Sequence, residues 1–269
     1  MAGNSEQKII VLCDFSPRMK EVIVHGVRIA SLLNRELCLT GIWHSATEKT
    51  VVQEKLIKAT HAIKHSAPEL RVSNLVIKGS LYENIEKLAM NYDAVLVILH
   101  KADLKSGLKA FRESSIAFLF VSGDSPEYLS YKNVLVPMDY RKASKDTALW
   151  ASFLGRLNRS VIQVVYAHET DKEQAATVTK NLNFYKKFLT NLNVSHHMVA
   201  GKASSWRICS EVIASAGEMK GDVMLFAGSA SISLLDLMVG LPEKRIIRKS
   251  GPLPILIVNP RKEICMVCE

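Results

Sequence analysis

At 269 residues the chain has room for one large or two modest domains, and with 48% hydrophobic and 23% charged residues it has the composition of an ordinary folded protein. Only 13 Gly and 8 Pro exclude a collagenous or linker-like chain, and no apolar run approaches the roughly 18 residues that suggest a membrane span. The 35 Lys and Arg outnumber the 26 Asp and Glu for a net charge of +9, and the polar start, Met1 to Lys8, lacks the apolar stretch of a secretory leader, so the expectation is a cytoplasmic protein without a membrane segment.

In chain order, Lys8 to Asp14 reads as a short apolar strand ending in Asp, followed by a polar turn. A segment of helical period comes next, with Val22, Val24, Val27, Ile29, Ala30 and Leu33 as its expected buried face. A second strand, Leu37 to His44, ends in His; a long helix follows near Glu48 to His65, and a third strand at Val72 to Lys78 leads into Gly79. After another helix, Asp93 precedes a fourth strand, Ala94 to Ile98, and a fifth is expected at Ala117 to Val121.

The pattern then repeats. Val134 to Asp139 matches the first strand, with Asp139 125 positions after Asp14. Its helix is expected to bury Ala148, Leu149, Ala151, Phe153, Leu154 and Leu157. Val161 to His168, Asp171 to Leu189, Val194 to Val199 before Gly201, Asp222 to Phe226 and Pro254 to Val258 complete the second copy. Two βαβαβαβαβ halves with short, apolar strands predict an α/β fold of two doubly wound parallel sheets, covered by helices on both faces. The expected domains are 1–124 and 130–262, with 263–269 as a tail and the polar stretch Ser122 to Tyr131 as the boundary.

These residues resemble the universal stress protein family: the Asp closing the first strand, the element order, a Gly-containing loop after strand four, and the closing run Gly251 to Val258. The resemblance covers nearly the whole chain as two tandem domains. It implies five-stranded sheets of order 3-2-1-4-5 that pair through their last strands, an intramolecular pseudo-dimer open to higher oligomers. It also implies a nucleotide crevice at the switch point between strands one and four, where ligands of open parallel sheets bind. The nucleotide-binding branch carries G-x-x-G, nine residues, then Gly and Ser or Thr. Here the second half offers Gly228, then Ser231 where the middle Gly is expected, an eight-residue spacer, and Gly240 followed by Leu241. A Cβ at Ser231 obstructs close approach to phosphate, and Leu241 has no hydroxyl. The first half departs further, with His100-Lys101-Ala102-Asp103 after strand four and one late glycine, Gly107.

The expected crevice residues are therefore Asp139, Gly228, Ser231 and Gly240, with Asp14 as a weaker counterpart; each Asp reads equally well as a cap or turn former. Lys244 and Arg245 are candidate anion contacts, and His44 and His168 occupy matching strand ends. No catalytic or metal residues are expected: His61 and His65 read as exposed helical histidines, Gly201-Lys202-Ala203-Ser204 fails the Walker spacing, and Cys265-x-x-Cys268 ends the chain before a helix could activate it. The basic excess lies mostly after residue 130, but no nucleic-acid motif accompanies it. The leading expectation is a universal-stress-like regulatory or interaction protein, non-enzymatic, with eroded crevices, no cofactor and an unidentified protein partner. The alternative is an ATP or AMP sensor using the second crevice with Mg²⁺; a slow ATPase, or a crevice holding another small ligand, stays open beside it.

Overall fold

The computed structural model describes residues 7–123, 125–229 and 242–260. The chain divides into two compact units between Asp124 and Ser125.

The first unit runs β1 (Lys8–Cys13), α1 (Met19–Leu33), β2 (Glu36–Trp43), α2 (Ala46–Ser66), β3 (Val72–Lys78), α3 (Leu81–Asn91), β4 (Ala94–His100), α4 (Leu104–Arg112) and β5 (Ala117–Val121). Its strands pair in the order β3-β2-β1-β4-β5, every pairing parallel. β1, β4 and β5 are the most buried, with Ile9, Ile10, Leu96, Val97, Phe118 and Leu119 sealed from solvent. That is the burial expected of strands with helices over both faces. Gly26 lets α1 lie close on this sheet: a Cβ there would collide with Val11 of β1 and stand 3.2 Å from Leu37 of β2.

The second unit repeats the plan. After the short α5 (Pro126–Leu129) come β6 (Asn133–Met138), α6 (Thr147–Asn158), β7 (Val161–Tyr166), α7 (Lys172–Asn191), β8 (His196–Ala200), α8 (Ile208–Ser215), β9 (Val223–Ala227), α9 (Pro242–Lys249) and β10 (Ile255–Val258). The order β10-β9-β6-β7-β8 is the first unit's order in the same roles, again with parallel pairings throughout.

Three details differ from the sequence reading. Val24 and Val27 of α1 are only half-buried, while His25 and Gly26 are buried in their place. His25 can go inside because its Nε2 meets the Gly123 carbonyl at 3.1 Å, so the buried polar ring is satisfied. In α6, Leu157 is 51% exposed and Trp150 and Ser152 are core; the indole faces Phe153 edge-on at 6.4 Å. The third strand of the second unit starts at His196 rather than Val194, because the Val194 N–H is still bonded to the Leu189 carbonyl of α7 at 3.0 Å.

Candidate functional site

The switch point of the second unit lies beyond the ends of β6 and β9. β6 ends at Met138, and Asp139 follows at once, 4% exposed. Its carboxylate accepts from the Arg141 backbone N–H at 2.8 Å, from Arg141 Nε at 2.7 Å and from Ser144 Oγ. From α7, Asn181 Nδ2 donates to the Asp139 and Arg141 carbonyls at 3.0 and 2.9 Å and fixes the turn. Arg141 also reaches across the switch point, its Nη2 donating to the Ala227 carbonyl at the end of β9 at 3.4 Å. Burial works against the guanidinium charge, but the adjacent Asp139 outweighs it by charge and hydrogen bond and holds Arg141 protonated above its ordinary value.

A cavity of about 570 Å³ opens here. Asp139 and Gly228 both line it, so two of the expected residues come together; Ser231 and Gly240 lie outside the described residues, as do Leu241 and the Cys265/Cys268 pair. Arg141, Lys142 and Arg245 supply cations, Tyr140 and Trp206 aromatic surface, and Ser205, Ser210 and Ser229 hydroxyls. Ser229 N–H donates to Glu243 Oε1 at 2.6 Å. Glu243 is 3% exposed, and its Oε2 has no hydrogen-bond partner among the described residues.

Cys209 also lines the cavity. Burial, then the negative charge of Asp139, pushes its thiol up to about 12, so the wall carries no thiolate nucleophile. The expected result is that iodoacetamide at pH 8 alkylates Cys209 about a thousandfold more slowly than a free thiol, in proportion to the missing thiolate. Peptide mass spectrometry of the native protein reads this directly; rapid labelling would contradict the protonated thiol.

The first unit uses the equivalent place differently. Asp14 is exposed, accepts from Ser16 N–H at 3.0 Å and stands 3.9 Å from Arg18. It forms a turn, one of the two roles its position allowed. At the end of β4, His100 Nδ1 accepts from Ala102 N–H at 3.0 Å, so Nε2 carries the hydrogen and donates to Glu21 Oε2 at 3.2 Å. The same Glu21 oxygen accepts from Gly123 N–H. A carboxylate of α1 therefore clasps the ends of β4 and of the chain leaving β5. Burial, reinforced by the Asp14 charge, raises the Asp103 carboxyl. Burial also lowers Lys101 to about 7, leaving it only partly charged at neutral pH. The switch point of the first unit thus gathers the carboxylates of Asp14, Glu21 and Asp103, each of which disfavours a nearby phosphate.

His44 and His168 are exposed, and among the described residues no group of three or more His, Cys, Asp or Glu could hold a metal ion. No described helix is long and apolar enough to cross a membrane. The sequence reading missed Arg141, Ser144 and Trp206 on the second crevice and the Glu21–His100 clasp in the first. The Asp-x-Arg spacing at 139–141 was a usable signal for the first of these; Trp206 is brought in only by the tertiary fold.

No protein-family model matches the chain, and no curated protein matches it in sequence. Solved structures do. A universal stress protein from Archaeoglobus fulgidus superimposes with a TM-score of 0.71 over 95% of this chain and 97% of its own, at 12% identity. A protein of unknown function from Pseudomonas aeruginosa PAO1 gives 0.65 over 96% and 94%, at 14% identity. At such identity the likeness is one of architecture. The chain has the fold of a tandem universal stress protein, in agreement with the resemblance read from its sequence.

Proposed function

We propose that the chain is a regulatory or interaction module without a reaction of its own, in which neither crevice retains the nucleotide seat that its fold class suggests. The observation that carries this reading is the engagement of Asp139: three donors from its own turn already occupy the carboxylate. Such a carboxylate has little capacity left to accept from a base or ribose, and a ligand would have to displace the 2.7 Å Arg141 contact. The acidic clasp of the first unit argues the same way, and the protonated Cys209 removes one candidate nucleophile. A partner protein, rather than a cofactor, is then the expected route of action.

The second reading, an ATP or AMP sensor, is favoured by one observation: the second cavity has volume for a small ligand and presents Lys142, Arg245 and Gly228 together. Isothermal titration with MgATP and with AMP separates the two. The expected result is no micromolar binding by either nucleotide. Micromolar affinity that is lost in Arg245→Gln, a solvent-facing change that leaves the Asp139 turn intact, would overturn the first reading in favour of the second.

A further inference from the structure

The first unit holds a recess of about 300 Å³ at the end of its edge strand β3, lined by Leu75, Val76 and Ile77 of that strand and by Leu88 of α3. Trp43, which ends β2, and Tyr92, which follows α3, add aromatic surface. Three lysines complete the lining: Lys49 of α2, Lys78 of β3 and Lys87 of α3. The Lys49 and Lys78 ammonium groups each lie 5.6 Å from the centroid of the Trp43 ring. No carboxylate lines the recess among the described residues.

Two acids close in sequence to these lysines are committed to helix starts. Glu48 accepts from the His44 and Ser45 N–H groups at 2.7 and 3.1 Å. Glu83 accepts from Ser80 N–H at 2.8 Å. Both belong to capping boxes at the starts of α2 and α3. The Asn84 amide is likewise spent, donating to the Lys78 and Ser80 carbonyls at 2.8 Å each. A lysine on an edge strand is a common guard against strand-to-strand association, which accounts for Lys78. It does not account for Lys49 and Lys87, which two different helices bring to the same indole-walled recess. Gathering like charges without a counter-charge raises the local potential, and a bound anion offsets that cost.

We infer that this recess binds a small amphipathic organic anion, with a flat apolar body against Trp43, Leu88 and Tyr92 and an acid group among Lys49, Lys78 and Lys87. Its volume is at the lower end for small-molecule sites, which suits a ligand of one or two rings. The site lies wholly in the first unit and is independent of the reading of the second crevice.

The test is a fluorescence titration of the full chain with 1-anilinonaphthalene-8-sulfonate, an aromatic sulfonate, beside its uncharged analogue N-phenyl-1-naphthylamine. Exposed charge pairs are individually weak, so Lys49→Met, Lys78→Met and Lys87→Met should each weaken sulfonate binding about two- to fivefold. The triple Met variant should weaken it roughly 8- to 125-fold if the three act independently. The triple Arg variant should keep binding within about threefold of wild type, because charge is retained, and circular dichroism verifies that each variant is folded. The uncharged analogue should bind wild type no better than the sulfonate binds the triple Met variant. Absence of sulfonate binding, equal affinity in wild type and the triple Met variant, or equally tight binding of the uncharged analogue would overturn the assignment.

Discussion

Asp139→Ala is expected to destabilise the second unit by about 2 kcal/mol, the cost of removing a buried acceptor from three donors, while the half-exposed Arg141 guanidinium can turn to water. The variant leaves the Arg141 guanidinium without its 2.7 Å partner and the Ser144 hydroxyl without an acceptor. Urea unfolding followed by tryptophan fluorescence measures the loss. The double variant Asp139→Leu with Arg141→Met should recover much of it, because two apolar side chains of similar volume are often as stable as a buried pair. A single-variant loss under about 1 kcal/mol would mean that the pair contributes like an exposed one, and the carboxylate would then be available to a ligand after all.

Asp222→Ala should cost about 3 kcal/mol, while Asp93→Ala, the same letter at the same place in the first copy, should cost less than about 1 kcal/mol. Asp222 is 4% exposed and accepts from Lys132 N–H at 2.8 Å, Asn133 N–H at 3.0 Å and Ser130 Oγ. It clamps the chain entering β6 to the start of β9. Asp93 is exposed, and the structure uses its backbone, at φ +47 and with its carbonyl accepting from Lys8 N–H at 3.0 Å. Asp tolerates that left-handed conformation better than most residues, so its substitution loses a local preference rather than a network.

The pH dependence has a definite sign. Burial raises the Asp222 carboxyl above its ordinary 3.8, against the pull of its three donors. The folded state therefore holds that proton more tightly than the unfolded chain. Its contribution is present below 3.8 and fades as pH rises through the raised value. The penalty of Asp222→Ala should accordingly be larger in acid than at neutral pH, which paired denaturation curves at the two conditions would show.

The two copies of the fold were legible because burial imposes a period. Strands sealed on both faces must be continuously apolar, so Ile9 to Leu12 and Val134 to Val136 announce themselves. Helix starts were legible in principle too, since Ser45 to Glu48 and Ser80 to Glu83 are capping boxes in sequence as well as in space. Helix faces were less legible. His25 is polar by type, yet a carbonyl ninety-eight positions away satisfies it, and hydropathy knows nothing of that partner. Leu157, expected inside, is exposed and Trp150 is core for a similar reason, because neighbours from other elements decide which side of α6 faces inward.

The site divides along the same line. Asp139 and Gly228 were legible as the ends of strands one and four, because topology alone sends those ends to one crevice. What fills the crevice was not. The choice between a carboxylate that waits for a ligand and one already held by Arg141 depends on a side chain two residues away turning back on it. The Glu21–His100 contact joins residues seventy-nine positions apart, beyond the reach of any local pattern.

The clasp in the first unit also bears on the stoichiometry to be expected of a ligand. Two unmodified copies of the fold would offer two equivalent seats, and a ligand could then fill them in succession with one occupancy influencing the next. On the proposed reading, in which Glu21 is spent on the His100 ring and the Gly123 N–H, a compound entering the second crevice should saturate at one equivalent per polypeptide along a simple hyperbola. Such a crevice would answer the concentration of that compound in a graded manner, without a threshold.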